Sequence, residues 1–355
     1  MPYKFQAVSA GKSQTLALLA SGEVLGWGGA GSGRYTPDNV DICSPRNTNQ
    51  EPIYVGQSAR FSSVSAGYGV SLGVSDRQEL LIWGFSPVGD RDGRAISEIP
   101  TCVEKITSPI RVTAGQSSFA AIDQSGSLYT WGLNVDGVLG RQTEQINASP
   151  GVVTELPAAQ QVGLGDHFMI VLSRQGEVFS FGSNSAGQLG LGHLKNVDTP
   201  AQVQLPNSVR CIAVGSTHVL SLDDEGDLIG WGSNQFGQLG NSQSRYSRTP
   251  LMIKVPEKVK AIAAGSHFSL ALSVTGSVYS WGWNGFGQLG LNDVAPRNIP
   301  VKIPGLSEIE AIAAGEMYAT AIGKNHLYGW GNNDSGQIGQ AAQKQLVPYA
   351  FWPIG

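Results

Sequence analysis

The sequence has few cysteines, few charged residues and no long apolar segment. Its 355 residues include three cysteines, and charged residues make up 14% of the chain. An odd number of cysteines without zinc-ligand spacing predicts neither a disulfide framework nor a metal site, and it indicates a reducing compartment. No cluster of Lys and Arg is present and the formal net charge is −4, so we expect no nucleic-acid partner.

Targeting signals and catalytic motifs are also missing from the sequence. The first residues contain no apolar segment typical of a signal peptide, and no apolar run approaches the ~18 residues that a membrane helix needs. We therefore expect a cytoplasmic, monomeric protein that does not contact a membrane. P-loop, His-Glu-x-x-His and Cys-x-x-Cys patterns are missing as well. We expect no enzyme chemistry, no cofactor and no metal ion.

Glycine is abundant, with 47 residues, and much of it belongs to an internal repeat. An aromatic residue followed by Gly recurs seven times at an interval of about 50 residues, which is typical of a repeat architecture. These aromatic residues are Trp27, Trp83, Trp131, Phe181, Trp231, Trp281 and Trp330. A second fixed Gly precedes each of them, at positions 11, 67, 115, 165, 215, 265 and 315.

Each repeat unit contains short apolar segments bounded by Pro, Asn, Asp or Gly, which is typical of β-strands. In the fifth unit the pattern predicts strands at Ala201–Leu205, Val209–Val214, Val219–Asp223 and Leu228–Trp231. Four antiparallel strands in each of seven units predict an all-β, seven-bladed propeller, with residues 1–355 as one domain. We expect each repeat aromatic to fill the space between neighbouring blades.

The ends of the sequence also predict how the ring closes. The first unit lacks a preceding Pro-x-x-Val strand, whereas the last residues of the chain, 346–354, resemble such a strand. We therefore expect the C-terminal strand to pair with the N-terminal blade and to complete it, which would remove two exposed sheet edges.

The repeat signature resembles that of the regulator of chromosome condensation family. The shared motifs are Ala-Gly, Trp-Gly-x-Asn and Gly-Gln-Leu-Gly. Gly-Gln-Leu-Gly is intact at 187–190, 237–240 and 287–290, and 336–339 reads Gly-Gln-Ile-Gly. The third unit has Gly-Val-Leu-Gly at 137–140, and the first two units lack the motif. The resemblance covers essentially the whole chain and implies a seven-bladed propeller that acts through protein binding.

In this family the turn after the repeat Gly lies on one rim of the ring, and some members use that rim for guanine-nucleotide exchange. The resemblance makes this rim the candidate partner-binding surface, although histidines at such turns more often stabilise the blades through hydrogen bonds to neighbouring turns. The candidate residues at these turns are Lys12, Tyr68, Asp166, His167, His218, His267, Glu316 and Tyr318. Relatives with exchange activity carry an additional β-wedge, whereas Trp131–Gly140 contains no additional residues.

Two other regions break the repeat pattern. Long polar or charged segments occupy Gly29–Pro52 and Phe85–Pro100, where either sequence drift or a binding function would explain them. Trp283, Phe286 and Phe236 are candidates either for packing between blades or for an aromatic patch at an interface.

The sequence therefore favours a non-enzymatic scaffold that binds a protein through one propeller rim. Two alternatives remain open. One is a guanine-nucleotide exchange factor or regulator of a small GTPase. The other is an inhibitor that covers the active site of another enzyme.

Overall fold

The seven predicted units fold into seven four-stranded antiparallel sheets arranged in a ring, which confirms the seven-bladed β-propeller. The computed structural model describes residues 4–29, 49–56, 59–84, 100–241, 244–324, 326–339 and 344–353. Blades are numbered from 1 to 7 along the chain, and each contains four strands in sequence order.

The strands of blades 1 to 4 are β1 (Phe5–Ala10), β2 (Gln14–Leu19), β3 (Val24–Gly28), β4 (Asn49–Tyr54), β5 (Phe61–Ala66), β6 (Val70–Ser75), β7 (Leu80–Gly84), β8 (Thr101–Cys102), β9 (Pro109–Ala114), β10 (Ser118–Asp123), β11 (Leu128–Leu133), β12 (Asn147–Val152), β13 (Ala159–Leu164), β14 (Phe168–Ser173), β15 (Val178–Gly182) and β16 (Val197–Val203). Those of blades 5 to 7 are β17 (Val209–Val214), β18 (His218–Asp223), β19 (Leu228–Ser233), β20 (Tyr246–Ile253), β21 (Val259–Ala264), β22 (Phe268–Ser273), β23 (Val278–Gly282), β24 (Arg297–Lys302), β25 (Ile309–Ala314), β26 (Tyr318–Gly323), β27 (His326–Asn332) and β28 (Lys344–Pro353). Within the described residues the helical structure is one 3-10 turn at Val135–Gly137.

The first strand of each blade is innermost, and the seven first strands surround a central channel of about 360 Å³. Small polar side chains on these strands satisfy backbone groups of the next blade. Ala66 N donates to Ser9 Oγ, and Ala114 N donates to Ser65 Oγ, both at 3.0 Å. Gln161 bonds both the N–H and the carbonyl of Ile212. Side chains therefore supply the hydrogen bonds that an innermost strand cannot obtain from a further strand.

The repeat tryptophans connect neighbouring blades, as the sequence predicts. Trp231 is fully buried, and its Nε1–H donates to the carbonyl of Gln188 in blade 4 at 2.9 Å. Trp281, Trp330 and Trp27 make the same bond to the carbonyls of Gln238, Gln288 and Gln337. Each of these indoles thus fills the space between two blades and pairs a buried polar group on the other blade.

The Gly-Gln-Leu-Gly motif forms the loop that presents this carbonyl. In blade 4, Gln188 Oε1 accepts from Ala186 N, while Asn184 Oδ1 accepts from Leu189 N. The Asn184 amide also donates to the carbonyls of His193 and Lys195. The repeat asparagines are therefore turn residues that hold the loop between the third and fourth strands.

The outermost strands carry prolines at the ring perimeter. Pro150, Pro200, Pro250, Pro300 and Pro348 each lie in the fourth strand of a blade. The pairing with the third strand is irregular at these places, for example between Gly230 and Gly232 of β19. A proline cannot donate to a neighbouring strand, and a bulge bends the edge, so these edges resist pairing with another chain.

The predicted closure of the ring by strand exchange is wrong. β28 pairs with β27 and completes blade 7, whereas blade 1 is complete with β1 to β4. The predicted strand Ala201–Leu205 was likewise assigned to the wrong unit, because β16 pairs backwards with β15. The loop held by the repeat asparagine reverses the chain direction, so that the next strand pairs with the third strand of the same blade. Every blade is therefore one contiguous segment.

Blades 7 and 1 meet through side-chain contacts instead. Trp27 Nε1 donates to Gln337 O at 2.9 Å, and the ring of Phe351 on β28 packs against Trp27 at 5.6 Å between centroids. Tyr318 Oη donates to the carbonyl of Gln14 at 2.6 Å. This interface uses the same tryptophan–carbonyl bond as the three interfaces between blades 4 and 7.

We predict that Trp231→Phe destabilises the fold more than Trp83→Phe. The first change removes the bond to the buried Gln188 carbonyl and should cost about 1–3 kcal/mol in addition to lost packing. Trp83 is equally buried, but among the described residues its Nε1 has no hydrogen-bond partner, so this change loses packing alone. Urea unfolding of both variants measures the difference. Equal losses would show that the indole bond does not contribute.

Candidate functional site

The turns between the first and second strands form one rim of the channel. They are joined around the ring by backbone hydrogen bonds from one turn to the next. These bonds are Lys12 N to Gly67 O, Tyr68 N to Gly115 O, Asp166 N to Ser216 O, Ser216 N to Ser266 O, Ser266 N to Glu316 O and Glu316 N to Gly11 O. The loops between third and fourth strands lie at the same end, since Ser183 N and Trp283 N donate to the carbonyls of His167 and His267. We call this end the mouth of the channel.

In blades 4 to 7 the repeat Gly is required because the ring three residues later folds back over it. A Cβ on Gly215 would overlap the His218 ring, and one on Gly315 would overlap the Tyr318 ring. Both rings are fully buried between blades. His218 Nε2 lies 3.0 Å from Ser269 Oγ, and burial lowers the pKa of this histidine to about 3. His218 and Tyr318 are therefore inaccessible to a partner and hold neighbouring blades together.

The other predicted residues converge on the mouth. Following the turn bonds, the side chains succeed one another as Asp166, Ser216, Ser266, Glu316, Lys12 and Tyr68. The two serine hydroxyls are 3.1 Å apart. The Tyr68 hydroxyl interacts with both serines across the mouth, and the Lys12 ammonium lies 5.3 Å from the centre of the Tyr68 ring. Tyr68 thus spans the channel opening.

The two carboxylates at the mouth are held in an unfavourable environment. Burial raises the pKa of Asp166, although a hydrogen bond with Ser216 and the nearby His167 and His267 act in the opposite direction. Burial also raises the pKa of Glu316, with Lys12 lowering it and the Asp166 charge adding to the rise. Both acids are half-buried and their charges repel each other.

The ring of turn bonds is interrupted at one place among the described residues. No backbone bond joins the turn of blade 3, which contains Gln116, to that of blade 4. The turn of blade 4 is also strained, since His167 has a φ of 60° and lies in the left-handed region. Such a conformation costs a non-glycine residue about 1 kcal/mol or more. The strain and the interruption both adjoin Asp166.

An aromatic patch adjoins these residues on blades 5 and 6. It consists of Phe236, His267, Trp283 and Phe286, which are all half-buried. The His267 ring lies 5.2 Å from Phe236 and 6.4 Å from Trp283, and Trp283 lies 5.7 Å from Phe286. Ser266, the residue before His267, connects the patch to the acidic residues, because its hydroxyl lies 3.1 Å from that of Ser216, whose carbonyl accepts from Asp166 N. The patch and the turn side chains form one surface.

The sequence identified part of this surface. It singled out Lys12, Tyr68, Asp166, His267 and Glu316, which the fold brings together at the mouth. It did not single out Ser216 and Ser266 for the site, because serine is common in turns. Their 50-residue separation was the available signal, since it places them at equivalent positions of adjacent blades.

The two long segments singled out by the sequence lie mostly outside the described residues. Positions 30–48 and 85–99 are not described, so the proposed functions of Gly29–Pro52 and Phe85–Pro100 stay predictions. The described strand ends show where these segments attach: β3 and β7 both end in Trp-Gly at the mouth end of their blades.

One catalytic pattern occurs in the chain without its structural context. Gly69-Val-Ser-Leu-Gly73 matches the Gly-x-Ser-x-Gly pattern of hydrolases, which requires an exposed serine on a strand-to-helix turn. Ser71 is instead fully buried inside β6. Within the described residues there is also no group of three or more His, Cys, Asp or Glu side chains arranged to hold a metal ion.

A sequence model of the RCC1-like domain matches residues 86–351. The chain belongs to the RCC1-like domain family. This match accounts for the fold and for the position of the repeat motifs. In the described residues of this family member, no helix is long and apolar enough to cross a membrane.

Several RCC1-type proteins are similar to this chain. The mouse secretion-regulating guanine nucleotide exchange factor is 32% identical over 158 residues, which cover 40% of this chain and 32% of that protein. The ultraviolet-B receptor UVR8 of Arabidopsis thaliana is 32% identical over 145 residues, covering 39% and 31%. The chain thus spans about a third of the length of these relatives.

Solved structures share the fold over most of the chain. Human WBSCR16 superimposes with a TM-score of 0.81 at 24% identity, covering 93% of this chain and 94% of that one. Prp20p from Saccharomyces cerevisiae, characterised for its binding to Gsp1p and histones, gives 0.78 at 22% identity and covers 89% and 81%. At these identities the likeness establishes the seven-bladed fold.

We predict that Asp166→Asn stabilises the protein at neutral pH, by less than about 1 kcal/mol because the group is half-exposed. The folded-state pKa of Asp166 lies above its unfolded value, so the cost of the carboxylate is absent below pH ~3.9 and develops as pH rises through the folded pKa. The difference between variant and wild type should therefore vanish in acid. Thermal unfolding at pH 7 and at pH 3.5 measures it.

Asp223→Asn provides the control, since Asp223 lies at the opposite end of a blade. Its carboxylate accepts from Asn207 and from the backbone N–H groups of Glu225 and Asp227, which lower its pKa. This contribution is present at neutral pH and is lost as pH falls, so Asp223→Asn should destabilise. If both variants are less stable than the wild type at pH 7, the prediction that the Asp166 carboxylate destabilises the fold is wrong.

Proposed function

We propose that this chain is a non-enzymatic scaffold that binds a protein partner through the mouth of its propeller. The observation that supports this most is the contrast between carboxylates at the two ends of the ring. At the far end, Asp123 and Asp223 are satisfied by hydrogen bonds from their own turns, which lower their pKa values. At the mouth, burial raises the pKa values of Asp166 and Glu316.

Unfavourable polar groups that a fold retains on one surface are typical of a binding site. The aromatic patch beside them supports the same proposal, because half-buried Trp and Phe side chains at a rim are the residues that dominate protein interfaces. The strained turn at His167 lies on the same surface. Charge and aromatic area therefore coincide on one part of the molecule, and one of the eight described non-glycine residues with positive φ adjoins them.

The proposal is tested by affinity capture with two variants that lose the same charge. One carries Asp166→Asn and Glu316→Gln at the mouth. The other carries Asp227→Asn and Glu23→Gln, which remove surface acids paired with Lys258 and Arg60 at the opposite end. We expect the mouth variant to lose at least ten-fold in recovered partner while the control retains it. Equal recovery with both variants would refute binding through the mouth.

A second candidate function is supported by the similarity to the mouse secretion-regulating guanine nucleotide exchange factor. In this role the mouth would contact a small GTPase and promote nucleotide release without covalent chemistry. Release of fluorescent GDP from a panel of small GTPases tests it. Acceleration by the wild type and not by the mouth variant would establish exchange through this surface. If GDP release is not accelerated for any GTPase of the panel, exchange activity is refuted and partner binding without exchange remains the proposed function.

A further inference from the structure

The mouth has an excess of negative charge at neutral pH. Asp166 and Glu316 carry two charges, and Lys12 supplies one positive charge, which lies over the ring of Tyr68. Burial lowers the pKa of His267, so this ring does not neutralise Asp166 near pH 7. Among the described residues, no Lys or Arg lies within ion-pair distance of either carboxylate. The described part of this surface is therefore complementary to a cation.

The aromatic patch limits which cation fits. Phe236 and Trp283 are 6.1 Å apart and flank the His267 ring. The hydroxyl of Ser266, the residue before His267, lies 3.1 Å from that of Ser216, and the Ser216 carbonyl accepts from Asp166 N. The aromatic patch and Asp166 therefore lie on one stretch of the rim, where a ligand meets both an apolar wall and a carboxylate. A guanidinium suits both, because it stacks on aromatic rings and bonds a carboxylate through two parallel N–H groups. An ammonium is more strongly hydrated and cannot form the paired bonds.

We propose that the protein partner inserts an arginine side chain at the mouth, with its guanidinium on Asp166 and its stem against His267, Phe236 and Trp283. This inference rests on the proposed function, since it specifies the chemistry of the partner at the same surface. Glu316 continues the acceptor surface beyond Asp166 along the line of turn bonds, past the buried Ser216–Ser266 hydroxyl pair. A phosphate-bearing ligand is disfavoured here by the two carboxylates.

The test uses small probes and does not depend on an identified partner. Acetyl-arginine methylamide, acetyl-lysine methylamide and acetyl-citrulline methylamide are titrated into the full chain. Backbone amide NMR shifts are followed at Asp166, Ser216, Ser266 and Glu316. We expect arginine to shift these amides with a half-saturating concentration at least three-fold below that of lysine. Citrulline, which keeps the shape without the charge, should produce no saturable shift.

Two variants assign the contacts. Asp166→Asn should raise the half-saturating concentration of arginine at least five-fold. Trp283→Leu should weaken arginine more than lysine, since the stacking surface is lost while the carboxylates remain. Asp227→Asn is the matched control at the far end and should leave the titration unchanged. The same amide spectra report whether each variant is folded, so an unfolded variant is recognised directly.

The outcomes separate the two proposals. Equal shifts by the arginine and citrulline probes, or an arginine titration unaffected by Asp166→Asn, would each overturn the arginine inference. If capture depends on the mouth while the arginine probe does not bind there, the inference fails and the proposed function stands. If the arginine probe binds at the mouth but the mouth variant recovers as much partner as the control variant, the proposed function fails. The cation site is then not the surface that binds the captured partner.

Discussion

Among the described residues, the structure depends most on a contact found at four of the seven blade junctions, the bond from a buried tryptophan indole to a backbone carbonyl of the preceding blade. A four-stranded sheet of this size buries little by itself, so stability must come from its two neighbours. Trp231 shows how the contact works: its ring fills the interface, and its N–H satisfies the Gln188 carbonyl that the loop exposes there. Blade 3 has Gly-Val-Leu-Gly in this loop, and the repeat aromatic of blade 4 is Phe181, whose side chain has no N–H donor.

The sequence predicted the number of blades and the role of the tryptophans, because both follow from residues with one strong physical preference. Trp with Gly at a fixed interval leaves few alternatives. The sequence could not predict which blade contains the strand after the variable loop. The alternation of apolar and polar residues in that strand is the same whether it pairs with the strand before it or with the strand after it. The hydrogen bonds of Asn184 to the end of its loop decide this, and they depend on three-dimensional geometry.

The sequence predicted the location of the candidate site but not which of its residues are exposed. Repeat positions identify the rim, but they do not distinguish an exposed turn residue from one that folds underneath it. His167 and His267 stand one residue before the register of His218, and that single step separates the mouth from the interior. In blades 4 to 7 the ring three residues later also occupies the space that a side chain on the repeat Gly would need. Local conformation, rather than residue type, decides which of these histidines lies at the mouth and which is buried between blades.

The contiguity of the blades has a consequence for how such a chain can change. Every sheet is built from one uninterrupted segment, and blades 7 and 1 meet through the same indole–carbonyl bond that joins blades 4 to 7 to one another. A circular permutant that begins at another blade boundary would retain every strand pairing. Duplication or loss of a repeat would add or remove a whole blade and leave no orphaned strand. The covalent order of the blades is thus separable from the architecture that they build.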